Sequence, residues 1–118
     1  MLFVEYPKCS TCRKAKKWLD DHGLEYQDRH IVEDNPTADE IRDWKERSGL
    51  PLRRFFNTSG MLYREMELAK KLPSLSEDEM LALLESNGML VKRPIVVAGD
   101  SVLVGFREEQ WSAALLDG

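Results

Sequence analysis

The sequence predicts an α/β domain, and three observations carry that prediction. A short apolar run, Leu2-Phe3-Val4, is followed at once by a helical pattern and then by a second extended segment. Two β-branched apolar runs, Ile95-Val96-Val97 and Val102-Leu103-Val104, lie close together near the C-terminus with Gly99-Asp100 between them. Between these two ends, residues of about 36–90 carry helix caps and helical spacing. At 118 residues the chain has the length of one ordinary domain with a real core. No linker, low-complexity segment or internal repeat divides it, so a single domain over 1–118 is expected.

Met1 to Glu5 reads as a short buried strand, ended by Tyr6-Pro7. A helix is predicted from about Thr11 to Asp21. Cys12, Ala15, Trp18 and Leu19 recur on one face of it, and Gly23 stops it. Glu25 to Ile31 is a second strand. A strand–helix–strand order implies a parallel pair with a right-handed crossover. Thr37-Ala38-Asp39-Glu40 is a capping box after Pro36, and Ile41 and Trp44 give its helix an apolar face that ends at Gly49-Leu50-Pro51. Arg53 to Asn57 reads as a short helix, followed by turn chemistry in Asn57-Thr58-Ser59-Gly60. Tyr63 to Lys71 is expected to be one further helix. Ser76-Glu77-Asp78-Glu79 is a second capping box; Met80, Leu83 and Leu84 form the expected inner face, closed by Gly88. The paired β-branched runs around Gly99-Asp100 signal a hairpin. A last helix starts near Glu108, with Trp111, Ala114 and Leu115 facing inward.

Both cysteines sit in Cys9-Ser10-Thr11-Cys12, between the first strand and the first helix. A thiol at a helix N-terminus meets unpaired backbone N–H groups and the positive end of the helix dipole, which favour the thiolate. A thiol of pKa ~8.5 is only about 3% thiolate at pH 7, whereas one lowered to ~6.5 is about three-quarters thiolate. Lys8, Arg13, Lys14, Lys16 and Lys17 push in the same direction, although Lys16 and Lys17 also fit a solvated helix face. Half a zinc site is one alternative, but only His22 and His30 remain to complete it. Chance spacing is the other. A Cys-x-x-Cys after the first strand of β-α-β, helices, β-β-α points to a thioredoxin/glutaredoxin-like fold with an inserted helical subdomain.

The formal net charge is −4, which argues against general nucleic-acid binding. That charge is uneven: Lys8 to Lys17 is basic, while Glu33 to Glu40 and Glu77 to Glu85 are acidic. The basic end coincides with the thiols and suggests an anionic substrate or partner. Leu2-Phe3-Val4 is too short for a signal peptide, and no apolar run reaches a membrane-spanning length. The expected location is the cytosol, where a Cys-x-x-Cys is more often catalytic or sensing than structural. Arg93 and Arg107 flank the predicted hairpin and offer two guanidinium forks to an oxyanion or carboxylate. Pro94 sits at the strand entrance, where a plain strand-start proline is an equal reading. Trp18, Trp44 and Trp111 read as core.

Tyr-Pro-Lys-Cys-Ser-Thr-Cys-Arg-Lys-Ala (6–15), Phe-Asn-Thr-Ser-Gly (56–60), Tyr63-Arg64, Arg-Pro-Ile-Val-Val (93–97) and Gly-Phe-Arg (105–107) together resemble the ArsC/Spx family. That family comprises bacterial arsenate reductases, related thiol reductases and Spx-type regulators. The resemblance spans nearly the whole chain and implies a thioredoxin-like fold with an inserted helical subdomain. It makes Cys9 the nucleophile, Arg93 and Arg107 the oxyanion-holding arginines, Pro94 the cis-proline beside the site, and Arg13 the residue closing the cysteine loop. Two departures stand out. Asn57 occupies the place of the reductases' third arginine, which weakens the case for arsenate as substrate. Cys12 is typical of Spx-type and related proteins, and it implies an intramolecular disulfide. The resemblance thus implies a thiol–disulfide reductase without a bound cofactor, taking a small oxyanion or glutathione-type substrate. Its electron donor would be glutathione, glutaredoxin or thioredoxin. The other implied role is a redox-sensing regulator that binds RNA polymerase. Phe56 to Gly60 looks more like the reductase branch, so the enzyme is the favoured reading.

Overall fold

Both faces of the central sheet are covered, because successive strand residues point to opposite sides and in three of the four strands are mostly apolar on each. The computed structural model describes residues 1–116. Its elements in order are β1 (Leu2–Glu5), α1 (Ser10–Asp21), β2 (Gln27–His30), α2 (Ala38–Ser48), α3 (Met61–Glu65), α4 (Leu68–Lys71), α5 (Glu77–Ser86), β3 (Ile95–Ala98), β4 (Ser101–Val104) and α6 (Glu108–Leu115). The strands lie in the order β2-β1-β3-β4. β1 runs parallel to β2, with Phe3 opposite Asp28 and Glu5 opposite His30. β3 is antiparallel to both β1 and β4. This is a thioredoxin-like arrangement, with the α2–α5 segment inserted between its β-α-β and β-β-α halves. No helix among the described residues is long and apolar enough to cross a membrane.

On one face Phe3, Val96 and Leu103 pack against Ala15, Trp18 and Leu19 of α1 and Trp111 of α6. On the other, Val4, Ile95 and Val102 join a larger core with Ile41, Trp44, Phe55 and Leu84 from the inserted segment. Both predicted capping boxes form, at Thr37 and Ser76, and Gly49 closes α2 in the left-handed conformation. A bidentate ion pair from Arg29 on β2 to Glu40 on α2 ties the insertion to the sheet.

Three details differ from the sequence reading. The helix expected over Tyr63 to Lys71 is broken at Glu67, whose φ is 53°. Tyr63 and Leu68 are both buried. Five residues apart, they would point roughly 140° apart on one straight helix, so the break lets both reach the core. On α5 the fully buried residues are Leu81 and Leu84, while Met80 and Leu83 lie half-buried at the edge. The inner face is turned because α5 packs between α2 and the 3-10 turns Leu52–Phe55 and Gly88–Leu90. Gly88 does not cap α5. It is buried against the Ile31 carbonyl, where a Cβ would collide with backbone.

Candidate functional site

Cys9 is the N-cap of α1, with extended backbone at φ −85° and ψ 125°. The first turn, Ser10-Thr11-Cys12, has no acid, and no side chain among the described residues caps it. The amide ends that a capping residue would normally occupy are therefore left to the thiol. Arg13 folds back so that its Nε donates to the Pro7 carbonyl at 3.0 Å, and the Cys9 N–H donates to the Tyr6 carbonyl at 2.9 Å. The cysteine loop is thus closed on itself by local bonds.

The two thiols are free and unequal. Burial pushes the half-buried Cys9 upward, but hydrogen bonds to the thiolate outweigh it. These come from the Cys12 backbone and side chain, the Arg93 side chain and the Thr11 backbone, and the net result lies below the usual thiol value. Cys12 is 1% exposed, and burial pushes it up to about 12, against a hydrogen bond from the Tyr6 backbone. The charges of Cys9 and Glu5 add to that rise. The arrangement therefore favours the thiolate at Cys9 and keeps the thiol behind it protonated.

Cys9 opens onto a cavity of about 410 Å³ whose lining includes Thr11, Arg54, Asn57, Lys92, Arg93 and Arg107. Two backbone bonds place the far wall: Asn57 N–H to the Leu90 carbonyl and Lys92 N–H to the Phe55 carbonyl, both at 2.7 Å. They hold the Phe55–Asn57 stretch beside the segment leading to Arg93. The Arg93–Pro94 peptide is cis. The Arg93 guanidinium carbon lies 5.1 Å from the Tyr6 ring centroid, a cation–π contact. Gly105, with φ 82°, donates its N–H to the Pro94 carbonyl at 2.8 Å and accepts from the Trp111 indole at 3.1 Å. That anchor sets the turn from which Arg107 leads into α6.

Arg54, Lys92, Arg93 and Arg107 are in no ion pair among the described residues. Elsewhere Lys16, Lys17, Arg29, Arg42, Lys45 and Arg47 each meet a carboxylate. Four cations without an ion-pair partner thus line the cavity that holds the thiol, although Arg53, Arg64, Lys70 and Lys71 are equally unpaired elsewhere. A second, larger cavity of about 570 Å³ lies on the insertion between Tyr63, Leu72, Leu75 and Met80. It is mostly apolar and contains no thiol, so its size does not make it the reactive site.

Of the residues singled out from sequence, Cys9, Asn57, Arg93 and Arg107 share the cavity. Cys12 lies buried behind it, Arg13 clamps the loop from outside, and the buried Pro94 shapes its floor through the backbone. Sequence reasoning missed Arg54 and Lys92. Arg54 lies in the 3-10 turn Leu52–Phe55, which the extended Phe56 joins to Asn57. That turn was the available signal. With Arg54 beside Asn57 in the lining, the cavity holds three guanidinium groups, those of Arg54, Arg93 and Arg107. Glu5 was also missed, because it reads as the unremarkable end of a strand.

The sequence profile of the ArsC family matches residues 4–114. The chain is 55% identical over 111 residues to the uncharacterized protein YusI of Bacillus subtilis (strain 168), covering 94% of each chain. It is 29% identical to the global transcriptional regulator Spx of Staphylococcus haemolyticus (strain JCSC1435), covering 88% of this chain and 78% of that one. Among solved structures, an ArsC family related protein from Bacteroides fragilis superposes with a TM-score of 0.92 at 55% identity, covering 95% of this chain and 94% of the other. An arsenate reductase from Vibrio cholerae superposes with a TM-score of 0.80 at 29% identity, covering 93% and 94%.

Proposed function

Since the chain belongs to the ArsC family, we propose that it is a thiol–disulfide reductase of the cytosol in which Cys9 is the nucleophile and Cys12 the resolving thiol. The observation that carries this reading is the cavity, which combines a stabilised thiolate with four unpaired cations. The Cys9 thiolate attacks a substrate disulfide R–S–S–R′, forming Cys9–S–S–R and releasing R′S⁻. Cys12 then displaces RS⁻, leaving a Cys9–Cys12 disulfide. A dithiol donor such as thioredoxin or glutaredoxin, or glutathione, restores both thiols. Arg54, Lys92, Arg93 and Arg107 hold an anionic substrate over Cys9. A small oxyanion or the carboxylates of glutathione fit that charge.

A second reading rests on one observation. The chain is 29% identical to the Spx regulator of Staphylococcus haemolyticus and carries a Cys-x-x-Cys. In that reading Cys9 and Cys12 form a redox switch and the partner is RNA polymerase.

One experiment separates the two. Purified protein is assayed for arsenate and mixed-disulfide reduction with glutathione and glutaredoxin or thioredoxin, beside a pull-down from lysate. The reductase reading expects turnover that is lost in Cys9→Ser. RNA polymerase in the pull-down, with no turnover of any substrate, reverses the ranking.

A further inference from the structure

α3 and α4 are short, with five and four residues, and the chain between them passes through Glu67 in the left-handed conformation. Together with the turn Leu72–Ser74 and α5 they border the second cavity, of about 570 Å³. Tyr63, Leu72, Leu75 and Met80 give it an apolar wall. Its charged lining residues are Arg53 and Arg54, from the turn Leu52–Phe55. Neither guanidinium is in an ion pair among the described residues. Arg53 also borders a smaller cavity with Glu77, but that carboxylate is held by Lys45 Nζ at 3.3 Å. Tyr63 is only 8% exposed, and its hydroxyl bonds to no group among the described residues. Since none of their polar side-chain atoms is buried without a partner, that hydroxyl is open to the cavity. A concave apolar wall with a few convergent polar groups is the composition of a small-molecule site, and such sites span roughly 300–1,000 Å³. Arg54 also lines the cavity of Cys9, so one guanidinium borders both.

We propose that the second cavity binds a small amphipathic anion, an acyl or aryl carboxylate, and that this ligand competes with the anion over Cys9 for Arg54. The apolar body of the ligand covers Leu72, Leu75 and Met80. Its carboxylate accepts from the Arg53 and Arg54 guanidinium groups and from the Tyr63 hydroxyl. An uncharged apolar molecule leaves both guanidinium groups without a partner, and a bare oxyanion leaves the apolar wall in water. With Arg54 turned to this ligand, the cavity of Cys9 keeps Lys92, Arg93 and Arg107 and holds its own anion less tightly. By linkage, the anion over Cys9 loosens the carboxylate by the same factor. The binding site is independent of the reductase reading, whereas the competition rests on the anion site of that reading.

The test is an NMR titration of octanoate into the protein carrying carbon-13 methyl methionine. Met80 lines the cavity, Met66 lines a different one, and Met1 and Met61 are exposed. Octanoate should shift the Met80 methyl saturably and leave Met1 and Met61 in place. Hexanoate, two methylenes shorter, should bind roughly tenfold more weakly. The alcohol 1-octanol has the body without the charge, and acetate has the charge without the body. Each should bind more weakly than octanoate by roughly tenfold or more. Arg53→Ala and Arg54→Ala should each weaken octanoate by roughly 10- to 150-fold, and Tyr63→Phe by less. The ligand-free methionine spectrum verifies that each variant is folded. In calorimetry, sulfate should bind the wild type more weakly when octanoate is saturating, and that difference should vanish in Arg54→Ala. Equal binding of 1-octanol and octanoate to the wild type, or shifts at Met66 or Met61 as large as at Met80, overturns the site without recourse to a variant. Unchanged octanoate binding in both arginine variants overturns it as well. Octanoate binding with an unchanged sulfate affinity overturns the competition alone. If sulfate does not bind the wild type, the anion site over Cys9 is removed and the competition falls with it, while octanoate still decides the second cavity.

Discussion

The N-termini of α2 and α5 are closed, whereas that of α1 is open. Thr37 and Ser76 each accept from the N–H three residues on, and Glu40 and Glu79 reach back to the cap N–H. Their first turns carry Asp39 and Glu40, and Glu77, Asp78 and Glu79. Every device that stabilises a helix start is present there. At α1 the cap is Cys9, the first turn has no acid, and the amide donors converge on sulfur. A cap of a helix in the scaffold satisfies its own backbone, while a cap at a reactive site leaves that satisfaction to the thiolate and what binds beside it. The stability forgone at α1 goes with a Cys9 thiol shifted toward its ionised form.

The largest expected effect breaks the comparison at its open end. Cys9→Ser should abolish fast alkylation by iodoacetamide near neutral pH, because the remaining Cys12, at about 12, is only roughly 10⁻⁵ thiolate at pH 7. Cys12→Ser should keep a fast-reacting thiol with a pKa below that of a free one. Rate against pH for the two variants checks this, and a lowered pKa that belongs to Cys12 would refute the assignment.

Next come two carboxylates, one under the open helix and one in a closed cap, whose pH dependences run in opposite directions. Glu5 titrates at about 7 in the folded protein against 4.5 in the unfolded chain. Below pH 4.5 both states hold the proton. Between 4.5 and 7 only the folded state does, so folding stability falls as pH rises through this window. The difference of 7 − 4.5 corresponds to at most about 3 kcal/mol. Glu5→Gln should therefore gain stability over the wild type between pH 5 and 8, by urea denaturation. Glu40, held down to about 2 chiefly by Arg29, behaves oppositely: its contribution is full above 4.5 and is lost as pH falls through 2. Glu40→Gln should consequently cost most at neutral pH and little near pH 2. A Glu5→Gln curve parallel to wild type would count against the raised titration.

The unpaired cations come third. Arg93→Ala, Arg107→Ala and Arg54→Ala should each weaken sulfate or arsenate binding by roughly 10- to 150-fold in calorimetry, the worth of one charge-assisted hydrogen bond. Lysine should restore only part, because it lacks the fork. Arg42→Ala should leave binding alone, since the Arg42 side chain meets Asp39 on α2 and Asp78 on α5. Alanine variants that bind like the wild type would remove the anion site. Asn57→Arg should strengthen binding less than each alanine weakens it, since Arg54 already lines the wall.

The smallest effects sharpen the contrast between the helix starts themselves. Thr37→Ala or Ser76→Ala should lower stability by about 1 kcal/mol with no change in the reactivity of Cys9. Ser10→Asp should do the reverse at α1. An acid there favours the helix by about 0.3–1 kcal/mol but opposes the neighbouring thiolate, so alkylation at pH 7 should slow about two- to fivefold. Equal reactivity in Ser10→Asp and wild type would mean that the open start contributes nothing to the thiolate.

Local signals were readable wherever the cause was local. The capping boxes at Thr37 and Ser76, the left-handed stop at Gly49 and the hairpin at Gly99-Asp100 each depend on residues within a turn of one another, and each forms. The placement of Cys9 at a helix start was legible for the same reason. The single helix expected over Tyr63 to Lys71 was not, because its break serves two side chains that must reach one distant core. Gly88 carried a misleading signal. It looks like a helix stop, but its need for a bare Cα comes from Ile31, 57 positions earlier.

The sequence by itself determined the α/β order, the covered helices, the position of both thiols and the presence of Arg93 and Arg107 at the hairpin ends. Tertiary structure decided which charges gather. Arg54 and Lys92 join Arg93 and Arg107 only because the Phe55–Asn57 stretch is bonded across to Leu90 and Lys92. Glu5 becomes a titrating group near neutrality because burial, and after it the neighbouring Asp28 of β2, disfavour its charged form. Short-range bonding follows from neighbours in the chain, whereas burial and electrostatic potential depend on every element that closes over a site.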